Sequence, residues 1–369
     1  MNAAGPNELR AEVFEKDLCI GCGACVSLCP YFKNYNGKTA MLFPCTQEEG
    51  RCFAYCPKVE VDLDAVSRNM YGEPYSMDPI GRYRSVMKSR AGKMVTRADF
   101  QAGGTVTALM TYALAANKID AAVLTGRDGL LPIPAVVTEP NAVAGFASSK
   151  YTSAPTLAAF NQAVREGRRN LGLVLTPCQA LALAQMRANP MKQKEFVDPV
   201  SFVAGLFCTW ALDYRSLRDF LVEKTDIKKI QKFDIPPPPA GVMEVYTESG
   251  KIDIPIDEIR KRVPNSCDYC FDMTAEFTDV SVGVFEDSTA WNTLVIRTER
   301  GQAMVDGAVK DGYLEIGEMP EENLAHLKLA AGNKKKRALE RGRGQGMVKT
   351  AKEGGRAAIR IDGDIAGMA

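Results

Sequence analysis

The chain has 369 residues, of which 46% are hydrophobic and 25% are charged. This is the composition of a globular protein, and its 46 Lys and Arg nearly balance its 45 Asp and Glu, so the net charge indicates no nucleic-acid partner. The single histidine, His326, lies in a Lys- and Arg-rich stretch, where we expect a solvated position on a polar helix. A Ser-His-Asp triad, a Cys–His nucleophile and a His-based zinc hydrolase are therefore excluded. We expect cofactors to carry the chemistry, and the sequence identifies no catalytic side chain.

Eleven cysteines are many for a chain whose first residues are polar and contain no apolar export signal. The longest apolar run, near residues 200–212, is shorter than the roughly 20 residues of a membrane-spanning helix. We therefore expect a cytoplasmic protein with no membrane span, whose clustered cysteines bind metal rather than form disulfides.

Seven of the cysteines fall within residues 19–57, in a segment with few periodic apolar residues. We predict that residues 1–60 form a ferredoxin-like 4Fe–4S domain that metal holds together. Residues 61–83 are predicted to be a connector, because chain breakers recur in their second half.

From residue 84 the pattern predicts alternating helices and strands. The predicted elements are, in chain order, a helix at 105–117, a strand at 121–125, a helix at 156–168, a strand at 171–175, a helix opening at Thr176-Pro177 and a strand at 200–207. This alternation favours an α/β core over residues 84–330, with parallel strand pairing.

Three further segments complete the organisation. Four prolines at 236–239 predict a stiff extended connection, and residues 242–246 with 251–254 predict a hairpin. Residues 331–369 are predicted to be a basic C-terminal tail, a solvated helix end that runs into a loose coil. Docking of this tail onto an acidic partner subunit is the alternative.

The N-terminal cysteines form two halves of a bacterial ferredoxin motif. The first half is Cys19-x2-Cys22-x2-Cys25-x3-Cys29-Pro30, and the second half has Cys45, Cys52 and Cys56 before Pro57. In this motif the fourth cysteine of each half ligates the other cluster. This crossover assigns one 4Fe–4S cluster to Cys19, Cys22, Cys25 and Cys56, and leaves Cys29, Cys45 and Cys52 for a second cluster.

The second set has one thiolate too few, because Leu42 stands at the two-residue spacing before Cys45. Three alternatives remain open for this site: a three-iron cluster, a four-iron cube with a non-cysteine ligand, or no cluster. The repeat of Cys-x3-Cys-Pro favours an occupied site. A cysteine-rich zinc module is the competing interpretation of the whole segment, and the C-x2-C-x2-C spacing fits it poorly.

Four later cysteines, Cys178, Cys208, Cys267 and Cys270, each lie at a predicted strand end or turn. Strand ends of an α/β sheet converge on one edge, so these four thiolates are candidates for a single site. Two interpretations remain open from spacing. Either all four bind one cluster, or Cys178 and Cys208 are small buried hydrophobes and only the Cys267-x2-Cys270 pair binds.

The sequence has neither a GxGxxG fingerprint nor a P-loop, which argues against those nucleotide sites. The run QAGGTVT at 101–107 opens a predicted helix. Paired glycines and the free N–H groups of a helix start attract phosphate, although this signal alone is common in turns.

Taken together, these residues resemble the beta-subunit family of coenzyme F420-reducing hydrogenase and F420-dependent formate dehydrogenase. The resemblance runs from about residue 84 to about residue 345 and rests on an ordered series of motifs. They are GGTVTAL at 103–109, SKYTSAP at 149–155, TPCQ at 176–179, GLFC at 205–208, Cys267-x2-Cys270, DVSVG at 279–283 and WNTLVIRT at 291–298. With a ferredoxin segment ahead of this core, the chain looks most like the F420-oxidising subunit of the membrane F420 dehydrogenase.

Members of this family hold FAD beside a 4Fe–4S cluster and exchange a hydride with F420. The resemblance therefore implies a mixed α+β flavoprotein core in which all four later cysteines ligate one cluster. It also implies FAD contacts at Gly103, Gly104, Thr105, Thr107, Lys150, Tyr151 and Thr152. The charge of Lys150 suits a pyrophosphate. The chain departs from the family at Ala102 and within 283–290, changes that concern the hydride partner more than the flavin.

We therefore expect an FAD- and iron–sulfur-containing oxidoreductase subunit with two or three clusters. It would pass electrons between coenzyme F420, or a similar hydride carrier, and a partner such as a hydrogenase, formate dehydrogenase or heterodisulfide reductase. One alternative keeps the cofactors but uses NAD(P)H or a pigment-type substrate. The other is a non-catalytic electron-conduit subunit.

Overall fold

The computed structural model describes residues 4–96, 98–191, 196–236 and 240–361. In the N-terminal module, loops that contain the cysteines connect short helices and one antiparallel hairpin. Its elements are α1 (Pro6–Leu9), a π-helical turn (Arg10–Phe14), β1 (Phe32–Tyr35), β2 (Lys38–Met41) and α2 (Arg51–Ala54).

This module has an apolar core of its own, which corrects the expectation that metal alone holds it together. Leu9, Val13, Phe32 and Phe53 are at most 3% exposed, and the half-buried cysteines pack against this cluster. The residues are spaced irregularly along loops, so no helical or strand periodicity marks them in the sequence.

The rest of the chain alternates strands and helices. The strands are β3 (Val61–Asp62), β4 (Ser85–Ala91), β5 (Ala121–Asp128), β6 (Leu131–Val137), β7 (Leu171–Leu175), β8 (Val200–Leu206), β9 (Ile230–Asp234), β10 (Val242–Thr247), β11 (Gly250–Pro255), β12 (Val280–Val284), β13 (Asn292–Ile296), β14 (Leu314–Glu318), β15 (Val348–Lys349) and β16 (Ile359–Arg360). The helices are α3 (Leu63–Tyr71), α4 (Thr105–Ala115), α5 (Thr156–Arg165), α6 (Pro177–Ala188), α7 (Tyr214–Val222), α8 (Ile256–Arg260), α9 (Glu299–Lys310) and α10 (Glu321–Gly344), with 3-10 turns at Pro140–Phe146, Ile227–Lys229 and Asn265–Tyr269.

A mixed eight-stranded sheet forms the centre, in the order β14-β4-β13-β12-β8-β7-β5-β6. Strands β12, β8, β7 and β5 run parallel to one another. The pairs on either side of these four, β12–β13, β13–β4, β4–β14 and β5–β6, are antiparallel. The strands predicted at 121–125, 171–175 and 200–207 are confirmed, and so is their parallel pairing. The antiparallel flanks make the core a mixed fold.

Helices cover both faces of this sheet. On one face, α4 and α9 bury an apolar cluster that includes Phe202 and Leu294. On the other face, α5 and α6 pack on Leu173 and Val203. The second cluster also contains Ala24 of the N-terminal module and Leu339 of α10, so three parts of the chain share one core.

A smaller sheet of β9, β10 and β11 packs with α7 and α8 around its own apolar cluster. The predicted hairpin is confirmed, since Val245 pairs with Ile252 across β10 and β11. Of the four prolines, those at 237–239 lie outside the described residues, so the stiff connection stays a prediction.

The basic tail is integrated into the fold, which corrects the expectation of a solvated helix end and a loose coil. Helix α10 crosses the predicted boundary at residue 331, and Lys334 and Lys335 on it are 3% and 0% exposed. Strand β15 then pairs in parallel with β16, and β16 pairs in parallel with β3 of the predicted connector. Residues 362–369 lie outside the described part of the chain.

Two other expectations can be compared with the structure. His326 is exposed, and its Nδ1 lies 3.3 Å from Glu286 Oε2, which confirms a solvated position. Within the described ranges, no helix has both the length and the apolar content to cross a membrane.

Candidate redox site

Cys178 and Cys208 follow the carboxyl ends of two neighbouring parallel strands. Cys178 lies in the first turn of α6, directly after β7, and Cys208 follows β8. The two strands are in register next to these ends, with Leu175 opposite Gly205. Because parallel strands end on one edge of the sheet, both thiols lie at that edge.

Cys267 and Cys270 reach the same edge from the 3-10 turn before β12. The Cys208 N–H donates to the Met273 carbonyl at 2.8 Å, which ties the end of β8 to the segment after this turn. Cys178 and Cys208 each interact electrostatically with both thiols of the turn. The structure therefore brings these four cysteines together, and we call them the core group.

Burial keeps Cys178 and Cys208 protonated unless a cation stabilises their thiolates. It raises the pKa of Cys178 to about 11 and raises the pKa of Cys208 further, and neighbouring thiolates add to both shifts. Since the thiolate is both the nucleophile and the metal ligand, free thiols here would be inert near neutral pH. Metal binding would displace their protons.

Cys19, Cys22, Cys25 and Cys56 form a second set, which we call the middle group. Cys56 acts electrostatically on Cys22 and Cys25, and Cys19 acts on Cys56. Burial raises the pKa of Cys56 to about 12. The first motif and the last cysteine of the second motif thus meet in the combination that the crossover rule gives.

Cys29, Cys45 and Cys52 form the third set, the outer group. Burial raises the pKa of Cys52 to about 11, and the thiolates of Cys29 and Cys45 raise it as well. Leu42, three residues before Cys45, is 50% exposed. This group has three thiolates, as the sequence indicates.

The middle group stands between the other two. Cys22 of the middle group interacts with Cys178 of the core group, and Cys25 of the middle group interacts with Cys52 of the outer group. The three sets therefore follow one another in the order core, middle, outer.

Hydrogen bonds from α5 fix the middle group to the core domain. The Leu157 N–H donates to the carbonyl of Cys22 at 3.1 Å. Asn161 Nδ2 donates to the carbonyls of Ala24 at 3.1 Å and Val26 at 2.8 Å. These bonds are buried, so their loss would leave polar groups unsatisfied.

The zinc interpretation gains no support from this arrangement. Among the described residues, no three His, Cys, Asp or Glu side chains are placed to hold a single metal ion. A structural zinc gathers four ligands around one ion, whereas the thiolates of a 4Fe–4S cube each ligate a different iron and stand farther apart.

Two buried lysines lie beside the core group, and pattern reasoning missed both. Lys334 Nζ donates to the carbonyls of Cys208 at 2.6 Å and Asp272 at 2.7 Å. Lys58 Nζ donates to the carbonyl of Ser266 at 2.7 Å. The only available signal for Lys58 was its place directly after Cys56-Pro57, and nothing in the sequence marked Lys334.

The two segments predicted to contact FAD come together. The Ser149 N–H donates to Gln101 Oε1 at 3.2 Å, which joins the loop before α5 to the loop before α4. Arg127, at the end of β5, donates to Ser148 Oγ at 2.7 Å and acts electrostatically on Lys150. Neither cation has a carboxylate at ion-pair distance among the described residues, and the Asp99 carboxylate acts on Arg127 only from farther away. We call the surroundings of Arg127 between the two segments the positive region.

The donors of Lys150 are occupied within its own loop. Its Nζ lies 2.8, 2.7 and 2.8 Å from the carbonyl oxygens of Phe146, Ala147 and Ser148. Burial and the neighbouring Arg127 lower its pKa to about 7. These bonds hold the loop, and the contact of Lys150 with a pyrophosphate stays a prediction.

The start of α4 is packed tightly against the sheet. Gly104 has φ +78°, and a side chain there would meet the Phe100 ring at 2.6 Å. The Thr105 N–H donates to Asn292 Oδ1 at 3.1 Å, and its hydroxyl is 2.8 Å from Ser89 Oγ. The Thr105 hydroxyl and N–H are thus both paired within the protein, and a contact of Thr105 with FAD stays a prediction.

The remaining predicted FAD residues lie beside these. Gly103 and Thr107 are buried at the start of α4. Tyr151 has φ +58°, and its hydroxyl accepts from the Ile235 N–H at 3.2 Å. The Thr152 hydroxyl is buried without a partner among the described residues. A left-handed non-glycine residue next to an unsatisfied buried hydroxyl is typical of a ligand-binding loop.

Known proteins match most of the chain. The coenzyme F420 hydrogenase/dehydrogenase beta-subunit family matches residues 86–161 with its N-terminal model and residues 168–322 with its C-terminal model, and a 4Fe–4S binding domain matches residues 12–31. The coenzyme F420 hydrogenase subunit beta of Methanococcus voltae is 30% identical over 64% of this chain and 85% of its own length. The chain belongs to the coenzyme F420 hydrogenase/dehydrogenase beta-subunit family.

Further relatives extend the match over more of the chain. An F420H2 dehydrogenase component of Methanosarcina mazei is 28% identical over 85% of this chain and 88% of its own length. A chain of the F420-reducing NiFe hydrogenase complex from Methanosarcina barkeri superposes with a TM-score of 0.65 at 25% identity, covering 73% of this chain and 94% of that one. The predicted family and the mixed α/β fold with its ferredoxin-like segment are confirmed, and the relatives belong to redox complexes.

Serine substitutions test whether Cys178 and Cys208 belong with Cys267 and Cys270. In anaerobically purified Cys178→Ser or Cys208→Ser protein, we expect about four fewer irons per chain, because a thiolate ligand of one cube is lost. Cys56→Ser is the matched control and should remove the EPR signal of a different cluster. Unchanged iron content and spectra in Cys178→Ser would show that this cysteine is merely a buried hydrophobe.

Proposed function

We propose that this chain is an electron-transfer subunit that links a hydride carrier, coenzyme F420 or a similar molecule, to a partner subunit through FAD and three iron–sulfur clusters. The core group and the middle group would each hold a 4Fe–4S cluster, and the outer group a third cluster. The partner would be a hydrogenase, formate dehydrogenase or heterodisulfide reductase type of subunit.

The row of three thiolate groups is the observation that carries this proposal. A single cluster could be structural, but three sets in sequence, joined through Cys22 to Cys178 and through Cys25 to Cys52, suit electron transfer across the protein. Family membership and the names of the relatives support the same direction.

The residues around the positive region fit a dinucleotide such as FAD. Arg127 supplies a cation without an ion-pair partner among the described residues for a diphosphate, and Lys150 holds the adjacent loop. The Thr152 hydroxyl supplies a buried polar group that lacks a partner among the described residues. Bound FAD would supply the chemistry that links two-electron hydride transfer to one-electron transfer through the clusters. The chain itself would bind and orient the cofactor and exclude water from it.

The outer group is the end at which we place the partner. Leu42 and Phe43, shortly before Cys45, are 50% and 58% exposed, and the Phe43 ring packs edge-on against Tyr31. Adjacent exposed apolar side chains of this size are typical of protein–protein contact sites.

The test is a cofactor assay on anaerobically purified protein. Iron, sulfide and FAD are measured per chain, and then reduced F420 or NADH is added while the flavin absorbance is followed. We expect bound FAD that reduced F420 bleaches. Absence of FAD would leave a non-catalytic conduit, and bleaching by NADH alone would overturn the F420 assignment.

Arg127→Ala tests the position of the FAD site. A charge-assisted hydrogen bond contributes about 1.5–3 kcal/mol, so we expect the dissociation constant for FAD to rise about tenfold or more while iron content stays unchanged. The matched control is Arg169→Ala, because Arg169 is exposed and, within the described part of the chain, donates to the nearby carbonyls of Val164 and Arg168. Equal FAD affinity in both variants would place the site elsewhere.

A further inference from the structure

The two halves of the N-terminal motif can be placed in register by their structure. In the first half the Val26 N–H donates to the Gly23 carbonyl at 3.0 Å, and in the second half the Phe53 N–H donates to the Gly50 carbonyl at 3.0 Å. Both donor residues have buried side chains in the same apolar cluster. Gly23 therefore corresponds to Gly50.

This register identifies the position of the missing ligand. Cys25 and Cys29 of the first half then correspond to Cys52 and Cys56 of the second. Cys22, directly before Gly23, corresponds to Glu49, directly before Gly50. Cys45 corresponds to Cys19 with one residue inserted, so the gap lies at Glu49 and not before Cys45 at Leu42.

The surroundings of Glu49 fit a ligand of the outer group. A side chain at Gly50 would meet Cys52 Sγ at 2.9 Å, so the backbone next to Glu49 runs against one of the three thiolates. The Gly50 N–H donates to the Ala4 carbonyl at 3.0 Å, which fixes this stretch. Glu49 itself is exposed.

We infer that Glu49 supplies the fourth ligand of the outer cluster through a carboxylate oxygen. The inference rests on the proposed function, since it requires a cluster at the outer group. A carboxylate is a harder ligand than a thiolate, so it binds the iron of a sulfide-bridged cluster less firmly than a thiolate does. The cluster would then have one labile iron, and an added one-electron oxidant such as ferricyanide would convert [4Fe–4S]2+ to [3Fe–4S]+ with release of Fe2+.

The test compares wild type with Glu49→Cys and Glu49→Ala by EPR after mild oxidation of the anaerobic protein. We expect a three-iron signal in wild type, at least a tenfold smaller signal in Glu49→Cys, and full conversion in Glu49→Ala. Glu48→Cys and Leu42→Cys are the matched controls and should behave as wild type. Loss of the signal in Leu42→Cys, or its persistence in Glu49→Cys, would overturn the inference, whereas absence of outer-cluster iron from wild type would instead count against the proposed function.

A separate observation concerns the lysines beside the core group. Lys334 and Lys335 are adjacent on α10 and both are buried, but their surroundings differ. Lys335 Nζ pairs with Glu276 Oε1 at 3.0 Å and so has its charge compensated. Lys334 donates only to carbonyls, those of Cys208 and Asp272, and has no carboxylate at ion-pair distance among the described residues.

Lys58 occupies the other side of the core group. It is 9% exposed, follows Cys56 of the middle group closely, and donates to the carbonyl of Ser266, next to Cys267 of the core group. Its charge acts on Cys56, Cys178 and Cys267 alike. It therefore lies between the core and middle groups.

We infer that Lys334 and Lys58 are fixed cations that raise the reduction potentials of the clusters, Lys334 that of the core cluster and Lys58 those of the core and middle clusters. A reduced cluster carries one more negative charge than an oxidised one, so a buried cation beside it favours reduction. The inference rests on the proposed function, because it requires both clusters to be bound.

EPR-monitored redox titration tests it. Lys334→Met keeps the aliphatic stem, and we expect it to lower the reduced-to-oxidised ratio of the core cluster about tenfold at a fixed potential, which is about 59 mV for a one-electron couple. Lys334→Arg should restore the ratio. The control is the double variant Lys335→Met with Glu276→Gln, which removes a compensated charge from the same helix and should leave both potentials unchanged.

Lys58→Met is the second arm and should lower the potentials of both the core and middle clusters. If the Lys334→Met variant loses its core cluster, the reduction potentials measured in Lys58→Met test the inference instead. Full iron content with wild-type potentials in these variants would overturn the inference. Absence of the core cluster from wild type would count against the proposed function instead.

Discussion

The hydrogen bonds between α5 and the loop of the middle group set the distance on which electron transfer through this protein depends. Asn161 and Leu157 hold this loop by its backbone carbonyls. The approach is so close that a side chain at Gly23 would meet the Ala158 nitrogen at 2.6 Å. Gly23 also has φ +84°, a conformation that glycine adopts readily. This contact holds the middle group against the core domain.

The core group follows from the sheet. Two parallel strands deliver Cys178 and Cys208 to one edge, and the turn before β12 adds the other two thiols. Four thiolates in a buried site would concentrate negative charge, and the cations Lys58 and Lys334 lie beside them. The same helix that carries Lys334 packs against the turn of Cys267, so the C-terminal region is part of the redox site and not an appendage.

The sequence was sufficient where a pattern maps directly onto geometry. Apolar runs predicted β5, β7 and β8, and the ferredoxin spacing predicted which cysteines meet. It was insufficient where partners are distant in the chain. The sequence suggests a solvated charge at Lys334, whereas the structure buries it beside the carbonyl of Cys208. The sequence also gives no sign that the Thr105 hydroxyl pairs with Ser89. Strand β4 is half-buried and has no clean alternation of apolar and polar residues, so no strand periodicity identified it in the sequence.

The central claim is that three iron–sulfur clusters stand in a row within one chain. The most direct measurement is anomalous X-ray scattering on either side of the iron absorption edge, from anaerobic crystals of the purified protein. The account predicts three iron peaks, with the peak enclosed by Cys19, Cys22, Cys25 and Cys56 between the other two. A single-ion peak at any group, or a core group without iron, would contradict it.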